Sequence, residues 1–132
     1  MTTPDLETLL TQLTLEETIS LLSGADLWTT VPIERLGIPA IKVTDGPNGA
    51  RGSEQRGGPS SACFPVGVAL AATWNPDIVQ QGARLAALEA AAAGVNWTFA
   101  PMVDIARDPR WGRIAESLGE DPLLAGRLGA AM

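Results

Sequence analysis

The fold is indicated most directly by residues 75–113, NPDIVQQGARLAALEAAAAGVNWTFAPMVDIARDPRWGR. Asn75 and Pro76 form an N-cap and first-turn pair, and the alanine-rich helix that they open is expected to end at Gly94. Residues 96–103 then include several β-branched and aromatic side chains, which predicts a buried strand. A polar, charged loop follows this strand. Helix, strand and charged loop in this order predict an α/β barrel, because barrel enzymes carry their sites on the loops after the strands.

The amino-terminal residues 1–24 predict a helical entrance segment ahead of the barrel units. Thr3 and Pro4 resemble a cap and first helical position. Thr14 and Glu17 have the spacing of a capping box and predict the start of a second helix. Gly24 is placed to end that helix in a left-handed turn.

Residues 25–132 are expected to form the first strands and helices of the barrel. The short apolar run 40–43 predicts a strand that stops just before Asp45, so an acidic residue lies at its carboxyl end. Residues 52–61 are rich in Gly, Ser and polar side chains and predict a flexible loop. Asp121 and Pro122 predict another helix, which meets the end of the sequence without a closing signal. The chain therefore looks like one truncated portion of a larger barrel domain.

Composition excludes several classes of partner. The chain has 15 acidic and 9 basic residues and a net charge of −6, which disfavours nucleic acid because phosphate neutralisation needs clustered cations. No apolar run approaches the roughly 18 residues that span a bilayer, and the start of the sequence lacks the pattern of a secretory signal. We therefore expect a cytoplasmic protein with no membrane partner.

The available side chains also limit the chemistry. The sequence has no histidine and a single cysteine, Cys63, which cannot form an internal disulfide and is expected to fill the core. A metal site is disfavoured because the carboxylates are interleaved with arginines that would repel a cation. No phosphate-binding Gly-x-x-x-x-Gly-Lys pattern is present, and no cofactor is implied.

The first candidate site is the loop that follows the run 40–43. Asp45 and Arg51 are brought to one small region by the glycines between them. An ionised carboxylate accepts hydroxyl hydrogens and a guanidinium donates to oxygens, so this pair suits an uncharged polyhydroxylated ring. A salt-bridged turn without function is the alternative.

The second candidate site is the charged loop after residues 96–103. Arg107, Trp111 and Arg113 lie close together in it, and Glu116 follows shortly after. Tryptophan offers an apolar face for the C–H surface of a sugar, and the arginines supply donors. An internal ion-pair network that stiffens a long connection would explain the same composition.

Six short motifs occur in an order that resembles the family 3 glycoside hydrolases. They are Thr14-Leu15-Glu16-Glu17, Thr44-Asp45-Gly46-Pro47-Asn48-Gly49, Phe64-Pro65, Ala72-Thr73-Trp74-Asn75, Ala100-Pro101 and Arg107-Asp108-Pro109-Arg110-Trp111-Gly112-Arg113. The resemblance extends from about Leu13 to the last residue. It implies an α/β fold that is a partial (β/α)8 TIM-barrel-like domain, truncated after its first strands and helices.

The resemblance also implies roles for individual residues. Asp45 corresponds to the family aspartate that binds hydroxyls of the innermost sugar, and Arg51 to a nearby arginine that contacts the ring in some members. Arg113 is similar to the family arginine that holds the same sugar. Glu116 and Asp121 match acidic positions with a supporting, structural role, to which the loop residues Arg107 and Trp111 are added.

The activity implied is retaining hydrolysis of terminal β-D-glucosyl residues, with a β-glucoside or another small saccharide as ligand. No residue of this sequence matches the family's nucleophile or acid/base, so the missing carboxyl-terminal portion of the same protein is the expected partner. The isolated chain is accordingly predicted to be inactive. A β-xylosidase, a non-catalytic or degenerate sugar-binding fragment, and an interaction remnant remain alternatives.

Overall fold

A computed structural model describes residues 5–51 and 60–132, which form two compact units. The first unit is Met1–Val43 and the second is Thr44–Met132. The predicted cap formed by Thr3 and Pro4, and most of the predicted loop 52–61, lie outside the described residues. Helices and strands are both present, as the sequence predicts for an α/β protein.

The first unit begins with two short helices, α1 (Leu6–Gln12) and α2 (Leu15–Leu21). Asp5 caps α1, because its carboxylate accepts a hydrogen bond from the backbone N–H of Glu7. The predicted capping box of Thr14 and Glu17 is confirmed at the start of α2: Glu17 N–H donates to Thr14 Oγ1 at 3.2 Å, and Thr14 N–H donates to the Glu17 carboxylate at 2.9 Å. Local side-chain chemistry thus sets where α2 begins.

The predicted end of α2 is wrong. The helix stops at Leu21, and Gly24 is not left-handed but forms an isolated antiparallel bridge with Thr30. A Cβ at Gly24 would lie 2.3 Å from the carbonyl oxygen of Asp26, so this glycine is required by a close backbone approach. A 3-10 helix, Glu34–Leu36, follows later in the unit.

Within the described residues, the second unit contains three α-helices: α3 (Gly67–Ala71), α4 (Pro76–Ala92) and α5 (Pro122–Ala131). The predicted cap at Asn75 is confirmed, since its side chain accepts hydrogen bonds from the first turn of α4, and Gly94 follows that helix with a φ of 73°. Asp121 caps α5 in the same way. Sequence did not predict α3 or the 3-10 helix Ile114–Glu116.

Two short strands, β1 (Val43–Asp45) and β2 (Trp97–Phe99), pair in a two-stranded sheet. β1 begins where the predicted strand 40–43 was expected to end, and Asp45 is its last residue. The predicted buried strand 96–103 is wrong in length and in burial, because Trp97 is 61% exposed and Phe99 is 52% exposed. Among the described residues, β1 and β2 pair only with each other. Two strands are too few to form a closed barrel.

The helices of the second unit pack around an apolar core. It consists of Leu70, Ala71, Val79, Leu118, Ala125 and Leu128. Leu118 lies two residues after the end of the 3-10 helix Ile114–Glu116, so the core fixes the end of the segment that carries Arg113. In the described part of the chain, every helix is too short or too polar to traverse a bilayer.

The packing of α3 against the segment before Leu118 can be tested by a substitution at Gly67. A Cβ at Gly67 would lie 2.1 Å from the carbonyl oxygen of Glu116 and 2.9 Å from that of Ser117. We predict that Gly67→Ala lowers the free energy of unfolding by about 1–3 kcal/mol, because the backbone must move apart. Urea denaturation of this chain followed by circular dichroism measures the change.

Gly126→Ala is the matched control, because Gly126 lies within α5 and no heavy atom beyond its chain neighbours and the nearby backbone of its own helix comes within 4 Å of the added methyl group. This variant is expected to keep or raise stability by up to about 1 kcal/mol through helix propensity. Equal stability of the two variants would contradict the close packing of α3 against Glu116.

Candidate functional site

An open cleft of about 650 Å³ in the second unit collects residues from both charged loops. Asp45 and Arg51 come from the loop after β1, whereas Arg113 and Glu116 come from the 3-10 segment before Leu118. Three side chains predicted to bind substrate therefore line one cleft, although Arg113 lies far from Asp45 in the sequence. Their role in binding stays a prediction.

The loop after β1 is shaped by its glycines. Gly46 has a φ of 143° and Gly49 a φ of 128°, values that favour glycine. The chain folds back so that Arg51 N–H donates to the carbonyl oxygen of Asp45 at 3.0 Å. The side chains then pair, with Arg51 Nη1 at 3.0 Å from Asp45 Oδ2. A turn of this shape presents a carboxylate and a guanidinium together.

Ser61, Ala62 and Cys63 form a further wall of the cleft, and hydrogen bonds of residues 61–64 hold it in place. Phe64 N–H donates to the carbonyl oxygen of Asn48 at 2.8 Å, and Ser61 Oγ donates to that of Ala50 at 2.5 Å. Ala62 N–H donates to the carboxylate of Glu89 on α4 at 3.0 Å. The wall is therefore attached both to the Asp45 loop and to the longest helix.

Arg113 is held by a two-point ion pair with Glu116. Its Nε lies 3.2 Å from both carboxylate oxygens of Glu116, and its Nη2 lies 2.7 Å from Oε2. Such side-on pairs fix the plane of the guanidinium as well as its position. Ser117 and Leu118, which follow Glu116 directly, are almost fully buried. The pair is thus attached to the core by the residues next to it.

The ion pair alters both titrations. The pKa of Glu116 is lowered chiefly by its hydrogen bonds from Arg113, and the pKa of Arg113 is raised by Glu116. The carboxylates of Asp104 and Asp45 also raise the pKa of Arg113 by Coulombic attraction, which places them in its electrostatic neighbourhood. Both partners are therefore charged at neutral pH.

The remaining predicted residues are not among the described residues that line this cleft. Arg107 is exposed outside it, and Trp111 is partly buried with its backbone N–H donating to the carbonyl oxygen of Asp108. Asp121 caps α5 and borders a separate groove beside Trp74. The loop also contains the ion pair of Arg110 with Asp108, at 2.5 Å. This part of the loop fits the ion-pair interpretation as well as the sugar-stacking one.

Sequence reasoning missed two features of the cleft. Cys63 was expected in the core, but the structure places it exposed on the cleft wall. The expectation failed because residues 61–64 follow the Asp45 loop and do not enter the core. Asn48 also lines the cleft, and its place inside the Thr44–Gly49 motif was the signal that could have identified it.

Metal-binding groups of three or more His, Cys, Asp or Glu side chains are not found within residues 5–51 and 60–132. The carboxylates of the cleft are instead paired with arginines. Its chemistry is that of paired charges which can still donate and accept hydrogen bonds.

Comparison with known proteins assigns the chain to a family. The family described as the N-terminal domain of glycosyl hydrolase family 3 matches residues 10–132. The chain therefore belongs to glycosyl hydrolase family 3.

Individual relatives agree with this assignment. A β-glucosidase of Rhizobium radiobacter is 52% identical over 120 residues, which are 90% of this chain and 15% of the relative. The β-glucosidase of Kluyveromyces marxianus, solved in complex with glucose, superposes with a TM-score of 0.93 at 44% identity over 98% of this chain and 16% of that one. β-Glucosidase 3B of Thermotoga neapolitana was also solved in complex with glucose. It superposes with a TM-score of 0.84 at 31% identity, over 95% of this chain and 20% of that one.

The chain thus spans about 15% of the length of the curated relatives it matches. Its backbone closely follows the corresponding part of much longer proteins.

Arg113→Gln tests the electrostatics of the cleft. We predict that it raises the pKa of Glu116 toward the ordinary glutamate value, because the hydrogen bonds and the positive charge are lost. The folded-state pKa of Glu116 lies below its unfolded value, so the pair stabilises the fold above the unfolded pKa and this contribution is lost as the pH falls through the folded pKa. Carbon-13 NMR titration of the side-chain carboxyls measures the shift.

Arg110→Gln is the control, because Arg110 lowers the pKa of Asp108 and does not line the cleft. This variant is expected to raise the pKa of Asp108 and leave that of Glu116 unchanged. An unchanged Glu116 titration in Arg113→Gln would show that the pair does not form in solution.

Proposed function

We propose that this chain is the first part of a (β/α)8 barrel domain in a retaining β-glycosidase that hydrolyses terminal β-D-glucosyl residues. The single observation that carries the proposal is the cleft in which Asp45 and Arg113 come together. Family membership and the match to several β-glucosidases support it. The barrel is supported by a backbone that superposes closely on relatives several times longer.

The chemistry of the cleft favours an uncharged sugar. Asp45 offers oxygens that accept hydrogen bonds from hydroxyls, and Arg51 and Arg113 offer N–H donors. A pyranose ring presents both kinds of group around its edge, so it can bond to each of these side chains at once. The two solved relatives described above contain glucose, which supports a glucosyl residue over the xylosyl alternative.

We assign Asp45, Arg51 and Arg113 to the innermost sugar subsite. Charge-assisted hydrogen bonds from these groups would fix the orientation of the ring, and orientation contributes to catalysis when the reacting bond is placed correctly. Arg107, Trp111 and Asp121 are assigned supporting roles. For Asp121 that role agrees with its hydrogen bonds at the start of α5.

The nucleophile and the acid/base are proposed to lie in another part of the protein. A retaining glycosidase uses two carboxyl groups about 5–5.5 Å apart, one of them protonated to act as the acid. The pKa of Glu116 is lowered, whereas a general acid needs a raised one. Asp45 is engaged by Arg51. The carboxyl-terminal portion of the same protein is therefore the proposed partner of this chain, and no cofactor takes part.

Asp45→Asn tests sugar binding in the full-length protein. The substitution keeps the size of the side chain but removes the charge that strengthens hydrogen bonds to hydroxyls. We predict a fall in kcat/KM for a nitrophenyl β-glucoside of about 100-fold, which corresponds to the loss of roughly 3 kcal/mol. Steady-state kinetics with purified protein provide the measurement.

Asp77→Asn is the matched control, because Asp77 is an exposed residue in the first turn of α4 and does not line the cleft. It is expected to retain the activity of the unchanged protein. Equal activity of the Asp45 and Asp77 variants would remove Asp45 from the substrate site.

The isolated 132-residue chain is predicted to have no glycosidase activity, since both catalytic carboxyls are proposed to lie elsewhere. Release of nitrophenol from a β-glucoside is measured against a mock purification. Saturable release that exceeds the mock and disappears in Asp45→Asn would place the catalytic groups within these residues.

A further inference from the structure

We propose that Glu116 sets the charge selectivity of the cleft: by neutralising Arg113 it makes the cleft accept uncharged sugar rings and reject anionic ones such as uronic acids. The inference rests on the proposed function, because it concerns the same sugar-binding cleft. It assigns Glu116 a specificity-determining role beyond structural support.

The carboxylate of Glu116 and the guanidinium of Arg113 lie in direct contact. Glu116 engages Nε and Nη2 of Arg113 at 2.7–3.2 Å, a side-on arrangement in which both carboxylate oxygens take part. A guanidinium has five N–H donors, and the Nη1 donors take no part in this pair. Arg113 can therefore donate to a hydroxyl while its charge is compensated by Glu116.

The charges along the cleft cancel. Of the described lining residues, Asp45 and Glu116 are acidic and Arg51 and Arg113 are basic, so two negative and two positive charges sum to zero. They are arranged as two ion pairs, Asp45 with Arg51 and Glu116 with Arg113. The whole chain has a net charge of −6, which adds no attraction for an anion.

Both ways in which an anionic sugar could bind to Arg113 in this cleft are energetically unfavourable. Its carboxylate could approach Arg113 only beside Glu116, where like charges repel, or by displacing Glu116 from a well-formed pair. A neutral hydroxyl group is not repelled by Glu116 and does not have to displace it. Selectivity of this kind arises from a group that opposes the wrong ligand as well as from groups that bind the right one.

Glu116→Gln separates charge from shape, because glutamine has the same size and keeps an oxygen that can accept from Arg113. The full-length protein is used, with D-glucose and D-glucuronate as competing inhibitors of nitrophenyl β-glucoside hydrolysis. In the unchanged protein we expect glucuronate to bind at least about tenfold more weakly than glucose. In Glu116→Gln we expect that ratio to fall by about tenfold, because one uncompensated positive charge remains beside the sugar.

Two further variants and a change of salt make the test specific. Glu116→Asp keeps the charge and should keep a ratio near that of the unchanged protein. Asp108→Asn removes the same charge from an ion pair that does not line the cleft and should leave the ratio unchanged. The gain of glucuronate affinity in Glu116→Gln should shrink when salt rises from about 0.05 to 0.5 M, because salt screens an exposed charge.

The outcomes separate this inference from the proposed function. An unchanged protein that glucose does not inhibit overturns the proposed function, and the inference with it. Glucose inhibition together with equally tight glucuronate binding overturns the inference alone, whether or not the variants fold. In a folded Glu116→Gln protein, an equal loss of affinity for both sugars would show a structural role and also overturn it.

Discussion

The close approach of Gly67 to the carbonyl oxygens of Glu116 and Ser117 is the constraint on which the cleft depends. There is no space for a side chain at this contact, so α3 meets the 3-10 segment backbone to backbone. Directly after it, Leu118 enters the apolar core. The segment is therefore fixed from two directions, and Arg113 at its start is held where the loop after β1 presents Asp45. A polar site is positioned here by packing that is largely apolar and main-chain in character.

The charged groups of the cleft form pairs, and this pattern explains what the cleft can and cannot do. An arginine that is already compensated can still orient a hydroxyl, and an aspartate beside an arginine can still accept one. The lowered pKa of Glu116 does not suit a general acid, which must hold a proton near neutral pH. In the proposed function these residues bind the sugar, and proton transfer and nucleophilic attack are assigned to carboxyl groups outside the chain.

Sequence predicted the features that depend on local chemistry. The capping box at Thr14 and the caps at Asn75 and Asp121 were correct, because a cap is decided by residues within one helical turn. Predictions that depend on distant contacts were less accurate. Gly24 does not end a helix, since its conformation is set by pairing with Thr30. β2 is shorter and more exposed than its apolar residues indicated, and the wall that contains Cys63 is directed by contacts with Asn48 and Glu89.

The same distinction between local motifs and distant contacts applies to the residues of the candidate site. Asp45, Arg51 and Arg113 were identified by motif, and the structure places all three along one cleft. That Glu116 would face Arg113 so directly was not predicted, although the two residues are three apart in a short 3-10 segment. Trp111 was selected for its chemistry, yet the described lining of the cleft does not include it.

The wall formed by residues 61–63 and the adjacent Phe64 are joined to the Asp45 loop mainly by backbone atoms. Phe64 N–H bonds to the carbonyl oxygen of Asn48, and Gly49 lies so close to the carbonyl oxygen of Ala62 that an added Cβ would come within 2.2 Å. The side chain of Cys63 takes no part in these contacts, so its replacement leaves the wall attached to the Asp45 loop. The exposed surface of the cleft can therefore change at Cys63, whereas Gly49 has no space for a side chain.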